Sequence, residues 1–267
     1  MIKPGEIQKK ARKVGVRDQQ IEKDYILSWI LQGIANQAEL SKCLVFKGGT
    51  ALKKIYFSDY RFSEDLDFTL LEREISNEQI LKGFSQVYDY ILGEANIPLG
   101  LNTINTFEDG GLNFYINYVG PLGGIGMNKS IKVDISRNEE MQFDPIPSLV
   151  NLGYSDQKQH PLLCYSLEEI LIEKLRSIMQ RMQARDLFDI WFLLEQQQMN
   201  ISLLSNEFGA KCASKGMDPK RFHTKLAQRL PQYKGRWRSS MGDQIHKLPD
   251  FDLVIRQVMR HLKKLEL

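Results

Sequence analysis

Two aspartates and a glycine pair lie close together in the segment FKGGTALKKIYFSDYRFSEDLDFTL, residues 46–70. Gly48 and Gly49 have no side chains, so backbone N–H groups beside them can approach a phosphate, and the start of the helix predicted to follow adds partial positive charge. Asp65 and Asp67 stand two apart on a predicted strand, so they project to the same face. Carboxylate oxygens are the ligands that magnesium prefers. This combination is suited to holding a nucleoside triphosphate and its magnesium ions.

A third carboxylate lies on a separate predicted strand. Asp134 alternates there with the apolar residues Val133 and Ile135, and pairing of the two strands would bring three carboxylates to one face of a sheet. That arrangement suits a displacement at phosphorus with two metal ions, which stabilise the attacking and the leaving oxygen. Asp65 and Asp67 would then hold both ions, and Asp134 would complete the nucleophile-side site and help to deprotonate the acceptor. The alternative interpretation is three solvated carboxylates on the open face of an antiparallel sheet.

Four further side chains near the glycine pair are candidates for phosphate contacts. Thr50 would cradle the triphosphate together with the glycines, and Lys53 would reach a phosphate from the first helical turn, with two neighbouring lysines as alternatives. Ser63 would bond a phosphate oxygen or fix the orientation of the aspartate two residues later. Arg61 would contact the triphosphate or, alternatively, pair with Glu64.

A second charged cluster lies in a strongly periodic helical region. On one continuous helix, Lys174, Arg181 and Arg185 would share a stripe because they are 7 and 11 positions apart. Such a stripe beside a buried apolar face would point into a cleft and neutralise triphosphate charge, and Lys174 would steady the charge that develops on the leaving pyrophosphate. The alternative is a surface stripe paired with Glu169 or Glu173.

The two clusters together resemble the AbiEii/AbiGii nucleotidyltransferases. The residues GGTALK at 48–53 and RFSEDLD at 61–67 are similar to the first motif of that family, and EKLR at 173–176 with RDLFD at 185–189 resembles its helical motif, a lysine followed by Arg-Asp-x-x-Asp. The resemblance implies a toxin of type IV toxin–antitoxin and phage-defence systems, built on the nucleotidyltransferase fold of the DNA polymerase beta superfamily. It also implies a cognate antitoxin, often a winged-helix repressor, that need not bind the toxin stably.

The helical motif contains two acidic residues with different expected roles. Asp186 and Asp189 lie about one helical turn apart. One interpretation is structural, with the aspartates pairing with Arg185 or capping a second helix. The resemblance makes Asp186 the stronger catalytic candidate of the two.

The pattern along the chain indicates an α+β protein in two parts. Before about residue 155, apolar residues alternate in strands or recur at helical spacing, and beyond it they recur at helical spacing. We therefore predict a nucleotidyltransferase-type α/β domain at 1–155, with a mixed, mostly antiparallel sheet, and a helical domain with a basic surface at 156–267. The predicted strands are 44–46, 65–70, 101–107, 112–119 and 129–136, and the predicted helices are 18–36, 50–57, 77–93, 167–182, 186–197, 201–214, 218–229 and 250–265.

Charge is unevenly distributed along the chain. Residues 1–210 hold 22 basic and 28 acidic residues, a net charge of −6, whereas residues 211–267 hold 14 and 5, a net charge of +9. Phe222, Tyr233 and Trp237 are interspersed with these basic residues and are candidates for stacking on bases. The segment is therefore predicted to contact a nucleic-acid backbone, with a solvated helical surface as the alternative.

These features together predict transfer of a nucleoside monophosphate from a nucleoside triphosphate (NTP) to an acceptor hydroxyl, with release of pyrophosphate. The resemblance and the basic segment favour RNA as the acceptor, with the tRNA 3′ end as the first candidate, where modification would block translation. A transferase acting on a small molecule such as an aminoglycoside would instead predict an acidic substrate cleft. A non-catalytic nucleotide- or RNA-binding module would predict loss of one of the three aspartates, and all three are present.

Other residues exclude several classes of site. The three cysteines are far apart and form neither a zinc pattern nor a disulfide framework, and the four histidines, His160, His223, His246 and His261, are scattered. No apolar run reaches the length of a membrane span, and the N-terminal residues lack the hydrophobic region of a secretory signal. We therefore expect a reduced, cytoplasmic environment and no membrane partner.

Overall fold

The chain divides into two compact units in the computed structural model. The first unit comprises residues 1–139 and 145–164, and the second comprises residues 140–144 and 165–267. The boundary expected from the sequence, between residues 155 and 156, therefore falls inside the first unit. The structure describes residues 1–72, 74–124, 129–245 and 247–267, so His246 lies outside the described residues.

The first unit is built around a seven-stranded mixed sheet. Within the described residues, its strands are β1 (Leu44–Lys47), β2 (Asp65–Leu70), β3 (Leu99–Thr106), β4 (Leu112–Tyr118), β5 (Ser130–Ser136), β6 (Ile146–Leu149) and β7 (Pro161–Cys164). They are ordered β3-β4-β5-β2-β1-β7-β6. The β2–β5 and β1–β7 pairs are parallel, and the other neighbours are antiparallel. The predicted α+β class, with a mixed, mostly antiparallel sheet and a helical part after it, is confirmed.

Two short strands lie in the proline-containing connection, which sequence analysis did not assign to the sheet. Pro147 lies on β6, the last strand of the sheet, and Pro161 is the first residue of β7. Proline has no backbone N–H group, and it is tolerated on edge strands and at the first residue of a strand. The prolines therefore concealed two strands that extend the sheet beyond β1.

Helices accompany this sheet, and apolar residues of one of them pack on its buried face. They are α1 (Pro4–Val14), α2 (Asp18–Asn36), α3 (Leu40–Cys43), α4 (Gly48–Ala51), which continues as a π-helical turn over Leu52–Tyr56, and α5 (Asn77–Ala95). Phe84 of α5 contacts Phe114 of β4 edge-on, with 4.8 Å between the ring centroids. On β5, buried apolar residues alternate with half-buried polar residues along the whole strand. One face of the sheet therefore belongs to the core, and the other carries the polar residues of β5.

The second unit is helical in the part of the chain that the structure describes. Its helices are α6 (Leu167–Gln180), α7 (Ala184–Trp191, continued by a π-helical turn at Phe192–Gln196), α8 (Ser205–Ala213), α9 (Phe222–Met241) and α10 (Phe251–Leu262), with 3₁₀ turns at Ile201–Leu204 and Pro219–Arg221. The sequence pattern predicted a helix at 218–229, whereas α9 continues through Pro231 to Met241. Across the described ranges, no helix combines the length and the apolar character that a bilayer span requires.

The aromatic residues of α9 form core rather than an exposed stacking surface. Phe222, Tyr233 and Trp237 are 0%, 1% and 3% exposed. The Phe222 ring contacts that of Phe208 with 5.4 Å between centroids, and the Trp237 ring contacts that of Phe251 at 5.6 Å. These three rings recur at helical spacing on the buried face of α9, which explains why the helix continues beyond its proline. The prediction that they stack on nucleic-acid bases is wrong.

Candidate active site

The three candidate aspartates lie on neighbouring strands and on one face of the sheet. β2 and β5 pair in parallel, with Asp67 directly opposite Asp134 and Asp65 opposite Lys132. Because Asp65 and Asp67 are two residues apart on one strand, both share the face of Asp134. All three aspartates are half-buried. The structure therefore brings these carboxylates together on the face opposite the core.

The turn between β1 and α4 places a glycine against one of these carboxylates. Gly48 has φ of +79°, and a Cβ atom added there would lie 2.5 Å from Oδ2 of Asp67. A Cβ atom added at Gly49 would lie 2.5 Å from Nη2 of Arg61. A side chain at either position would collide with the charged group beside it, and at Gly48 the left-handed backbone also disfavours other residues. The glycine pair therefore lets the backbone of the turn lie directly against a carboxylate and a guanidinium.

Thr50, Arg61 and Ser63 lie between this turn and the start of β2. Oγ1 of Thr50 donates a hydrogen bond to the backbone carbonyl of Asp65 at 2.6 Å, which fixes the backbone of the first aspartate. Arg61 is buried and donates to the carbonyl of Phe62 at 3.3 Å. Ser63 is also buried, in the segment that leads into β2. Contacts of these three residues with phosphate stay predictions.

Lys53 is committed to the loop that precedes β2. Its Nζ donates to the backbone carbonyls of Ser58 at 3.1 Å and Tyr60 at 2.8 Å, and it lies 4.1 Å from the centroid of the Phe62 ring. Burial lowers the pKa of Lys53 to about 8. The phosphate contact predicted for this lysine stays a prediction, and two of its three N–H groups are already occupied within the loop.

The carboxylate of Asp134 is bound on both of its oxygens. Nζ of Lys132 lies 2.6 Å from Oδ2, and Nδ2 of Asn113 donates to Oδ1 at 2.6 Å. Burial alone would lower the pKa of Lys132, but the hydrogen bond and charge of Asp134, followed by the charge of Asp65, outweigh it and raise that pKa above its ordinary value. Lys132 is thus held as a cation between carboxylates of two strands.

Sequence reasoning missed Lys132 and Asn113 as members of the site. Lys132 stands two residues before Asp134 on the same strand, so the alternation that identified the aspartate also places the lysine on its face. Asn113 lies opposite Asp134 on β4, and its proximity depends on how β4 and β5 pair. The lysine therefore had a local signal in the sequence, and the asparagine had none.

The donor set on this face fits a hard divalent cation by its chemistry. Asp65, Asp67 and Asp134 supply carboxylate oxygens, which are the ligands that Mg²⁺ prefers. Within the described part of the chain, no three His, Cys, Asp or Glu side chains are already arranged to hold a metal ion. The ammonium of Lys132 provides the positive charge beside Asp134 in this arrangement. The donors suit magnesium by their chemistry, and holding one ion between them would require the carboxylates as well as the lysine to change position.

The charged cluster of the second unit is not carried by one continuous helix. α6 ends at Gln180, Arg181 adopts extended backbone angles (φ −128°, ψ 163°), and α7 begins at Ala184. Arg185 therefore lies on α7, and the prediction that Lys174, Arg181 and Arg185 form a stripe on one helix is wrong. The cluster is instead assembled across the break between α6 and α7.

Lys174 joins two buried aspartates across this break. Its Nζ lies 2.9 Å from Oδ1 of Asp186 and 2.8 Å from Oδ2 of Asp189. Nε of Arg181 lies 2.8 Å from Oδ2 of Asp186. Burial would raise the pKa of Asp186, but the charges of Lys174 and Arg181 outweigh it and lower the pKa below its ordinary value. The cluster is therefore a buried ion-pair network that joins α6 to α7 across the break.

Three of the nine basic residues at 211–238 form buried or half-buried contacts within the second unit. Lys211 is fully buried, and its Nζ lies 2.8 Å from Oε1 of Glu169. Lys225 and Arg229 of α9 donate to backbone carbonyls at the C-terminal end of α6, where the helix dipole stabilises positive charge. The basic residues of the segment that are exposed are Lys220, Arg221, Lys234, Arg236 and Arg238.

Solved structures with the same fold include two bacterial proteins. JHP933 from Helicobacter pylori has a TM-score of 0.56 and 18% identity, covering 94% of this chain and 93% of that chain. MenT4, a nucleotidyltransferase toxin from Mycobacterium tuberculosis, has a TM-score of 0.56 and 16% identity, covering 97% of this chain and 99% of that chain. At such identities the likeness establishes the fold alone. No curated protein sequence matches this chain.

A family model establishes what kind of protein this is. The model, described as nucleotidyl transferase AbiEii toxin of type IV toxin–antitoxin systems, matches residues 29–257, a range that includes every candidate site residue. The match spans most of the chain and agrees with the fold of a nucleotidyltransferase toxin. The chain therefore belongs to the AbiEii family of type IV toxin–antitoxin nucleotidyltransferases and is an enzyme of that class.

Proposed function

We propose that this enzyme transfers a nucleoside monophosphate from an NTP to a hydroxyl of RNA, with the tRNA 3′ end as acceptor, in a magnesium-dependent reaction that blocks translation. The acceptor oxygen forms a bond to the α-phosphorus, and the bond from that phosphorus to the pyrophosphate oxygen breaks. The observation that supports this proposal is the position of Asp67 beside Asp134, with Asp65 on the same face, against the glycine turn at Gly48. Acidic oxygens and the backbone of a glycine turn meet there, as a triphosphate with its cations requires.

Each group on the sheet face has a proposed part in the reaction. Asp65, Asp67 and Asp134 would hold magnesium, which when bound neutralises triphosphate charge and polarises the phosphoryl group. The backbone at Gly48 and Gly49 receives the triphosphate, and Thr50, Lys53, Arg61 and Ser63 are the proposed side-chain contacts of its phosphates. Asp134 accepts the proton of the attacking hydroxyl as the new bond forms.

Lys174 and Asp186 are the proposed contributors from the second unit. Lys174 balances the charge that develops on the leaving pyrophosphate, and Asp186 orients the lysine through their 2.9 Å contact. Asp189 contacts the same ammonium at 2.8 Å, so the lysine is held between two carboxylates.

RNA is the proposed acceptor because positive charge is concentrated at one end of the chain. Residues 211–267 carry a net charge of +9, and the basic residues that remain exposed in this stretch include Arg221, Arg236 and Arg238. Because the aromatic side chains of α9 are buried, contact would depend on phosphate rather than on stacked bases. The expected setting is the cytoplasm, where tRNA and NTPs are found, and the expected partner is a cognate antitoxin.

Transfer of label tests this proposal directly. The full chain would be incubated with Mg²⁺, each α-³²P-labelled NTP in turn, and either total tRNA or an aminoglycoside. We expect label on tRNA with at least one NTP, loss of labelling with EDTA, and loss of labelling when periodate has oxidised the terminal ribose. Asp67→Asn should abolish transfer, whereas Asp89→Asn, a matched change at an exposed aspartate of α5, should not.

Two results would contradict the proposal. Label on the aminoglycoside and none on RNA would make the acceptor a small molecule. NTP binding without transfer to either acceptor would indicate a nucleotide-binding protein without turnover.

A further inference from the structure

Asp134 is held from two sides by residues that differ in their ability to move. Nδ2 of Asn113 and Nζ of Lys132 each lie 2.6 Å from a different oxygen of the carboxylate. Both hydrogen bonds are short, so rotation of the carboxylate would break both at once. The orientation of Asp134 is therefore set by two side chains with no part in the three-aspartate scheme.

Asn113 belongs to a hydrogen-bonded row that is part of the sheet itself. Its Cα lies opposite that of Asp134 across the β4–β5 pair, and its side chain is buried, with a residue exposure of 5%. Its Oδ1 accepts a hydrogen bond from Nδ2 of Asn105 on β3 at 3.2 Å. Because both ends of the amide are occupied and the side chain is buried, rotation of Asn113 is restricted.

Lys132 is the mobile member of the pair. Its side chain is about one-third exposed. Its ammonium is paired with Asp134 on β5, and its backbone lies opposite Asp65 on β2, so carboxylates of both strands attract it. The long stem of a lysine lets the ammonium move by several ångströms without disturbing the backbone. An ammonium and a divalent cation at the same carboxylate oxygen repel each other, so the ion pair of Lys132 with Asp134 disfavours binding of the cation there.

We propose that Asn113 and Lys132 are positioning residues for Asp134, with Asn113 orienting its carboxylate and Lys132 occupying the place of the divalent cation until that cation binds. The inference rests on the proposed function, in which Asp134 is a metal ligand. It assigns the two residues opposite effects on metal affinity. Removing the asparagine loosens a ligand and weakens binding, whereas removing the lysine deletes a competitor and tightens binding.

The Kd for Mn²⁺ tests these opposite effects. It would be measured by titrating the full chain with Mn²⁺ in the absence of NTP, with electron paramagnetic resonance as the readout. Asn113→Ala should raise the Kd for Mn²⁺ about tenfold, the lower end of the effect of losing a group that orients a metal ligand. Lys132→Met should lower the Kd about tenfold, because a unit charge within hydrogen-bonding distance is removed. Lys132→Arg keeps the positive charge and should bind Mn²⁺ as weakly as the unmodified chain.

Matched variants control for general effects of the substitutions. Asn117→Ala changes an exposed asparagine on the same face of β4, and Lys158→Met breaks a surface pair with Glu94; both should leave the Kd unchanged. Thermal unfolding of each variant identifies any that fail to fold, and Asn113→Ser then replaces Asn113→Ala as a smaller change. A purely structural role would weaken Mn²⁺ binding in both site variants rather than shift it in opposite directions.

The outcomes separate this inference from the proposed function. If the unmodified chain labels RNA but neither Asn113→Ala nor Lys132→Met changes the Kd, the inference is overturned and the function stands. If the two Kd values shift in opposite directions but no RNA is labelled, the inference stands and the function fails. Weaker binding in both variants, or no Mn²⁺ binding by the unmodified chain, also overturns the inference.

Discussion

Replacing Gly48 with alanine tests whether the glycine turn and Asp67 form one working site. The new Cβ atom would lie 2.5 Å from Oδ2 of Asp67, whereas ordinary contact begins at 3.4 Å, so the carboxylate has to retreat by about 0.9 Å. A displacement of about 1 Å in a catalytic site can lower the rate about 10²-fold. The left-handed backbone at Gly48 independently destabilises the variant by about 1–2 kcal/mol.

Gly124→Ala separates the collision from the backbone strain. Gly124 has φ of +80°, close to the +79° of Gly48, but a Cβ atom added there meets no atom within 4 Å. We expect both variants to lose a similar free energy of unfolding in urea, and only Gly48→Ala to lose about 10²-fold in kcat for nucleotidyl transfer. Equal kcat values in the two variants would refute the idea that the carboxylate must lie against the turn.

Three further expectations concern the second unit. Lys174→Met leaves two buried carboxylates without their shared cation, so we expect the free energy of unfolding in urea to fall by about 3–5 kcal/mol, and an unchanged value would contradict the buried network. The pKa of Asp186 in the folded chain lies below the ordinary value of 3.8. Its charge therefore contributes stability that is complete above pH 3.8 and is lost as the pH falls through the lowered pKa. Asp186→Asn should flatten the acid side of a curve of stability against pH, measured by circular dichroism. Arg236→Gln with Arg238→Gln should reduce the slope of log Kd for tRNA against log salt concentration by about 1 to 2 in filter binding, and an unchanged slope would place the RNA elsewhere.

The elements around the active site could be predicted from the sequence because their signals are local. The glycine pair ends β1, and the alternation of acidic with apolar residues identifies β2 and β5 and their faces. The prediction that Asp134 lies beside Asp67 is conditional, because it requires pairing of two strands that are far apart in the chain. The same limit applies to Asn113, whose own neighbours indicate a strand and say nothing about which strand lies next to it.

The errors in the helical half have a different physical origin. The residues Arg-Met-Gln at 181–183 contain neither glycine nor proline, yet the chain is extended at Arg181. Ion pairing of Lys174 and Arg181 with Asp186 favours this break, and pairing across a turn leaves no mark in local periodicity. At Pro231 the opposite occurs, since burial of the apolar face of α9 outweighs the hydrogen bond lost at proline. Tertiary packing decided both cases against the local signal.

The central claim is that Asp67 and Asp134 act together on one reacting group. A double-mutant cycle with Asp67→Asn, Asp134→Asn and both changes combined, measured as kcat for label transfer to tRNA, tests it most directly. We expect each single change to lower kcat by at least about 10²-fold and the double change to add little more, because either loss disables the shared site. Full activity of Asp134→Asn, or losses that multiply in the double variant, would contradict the claim.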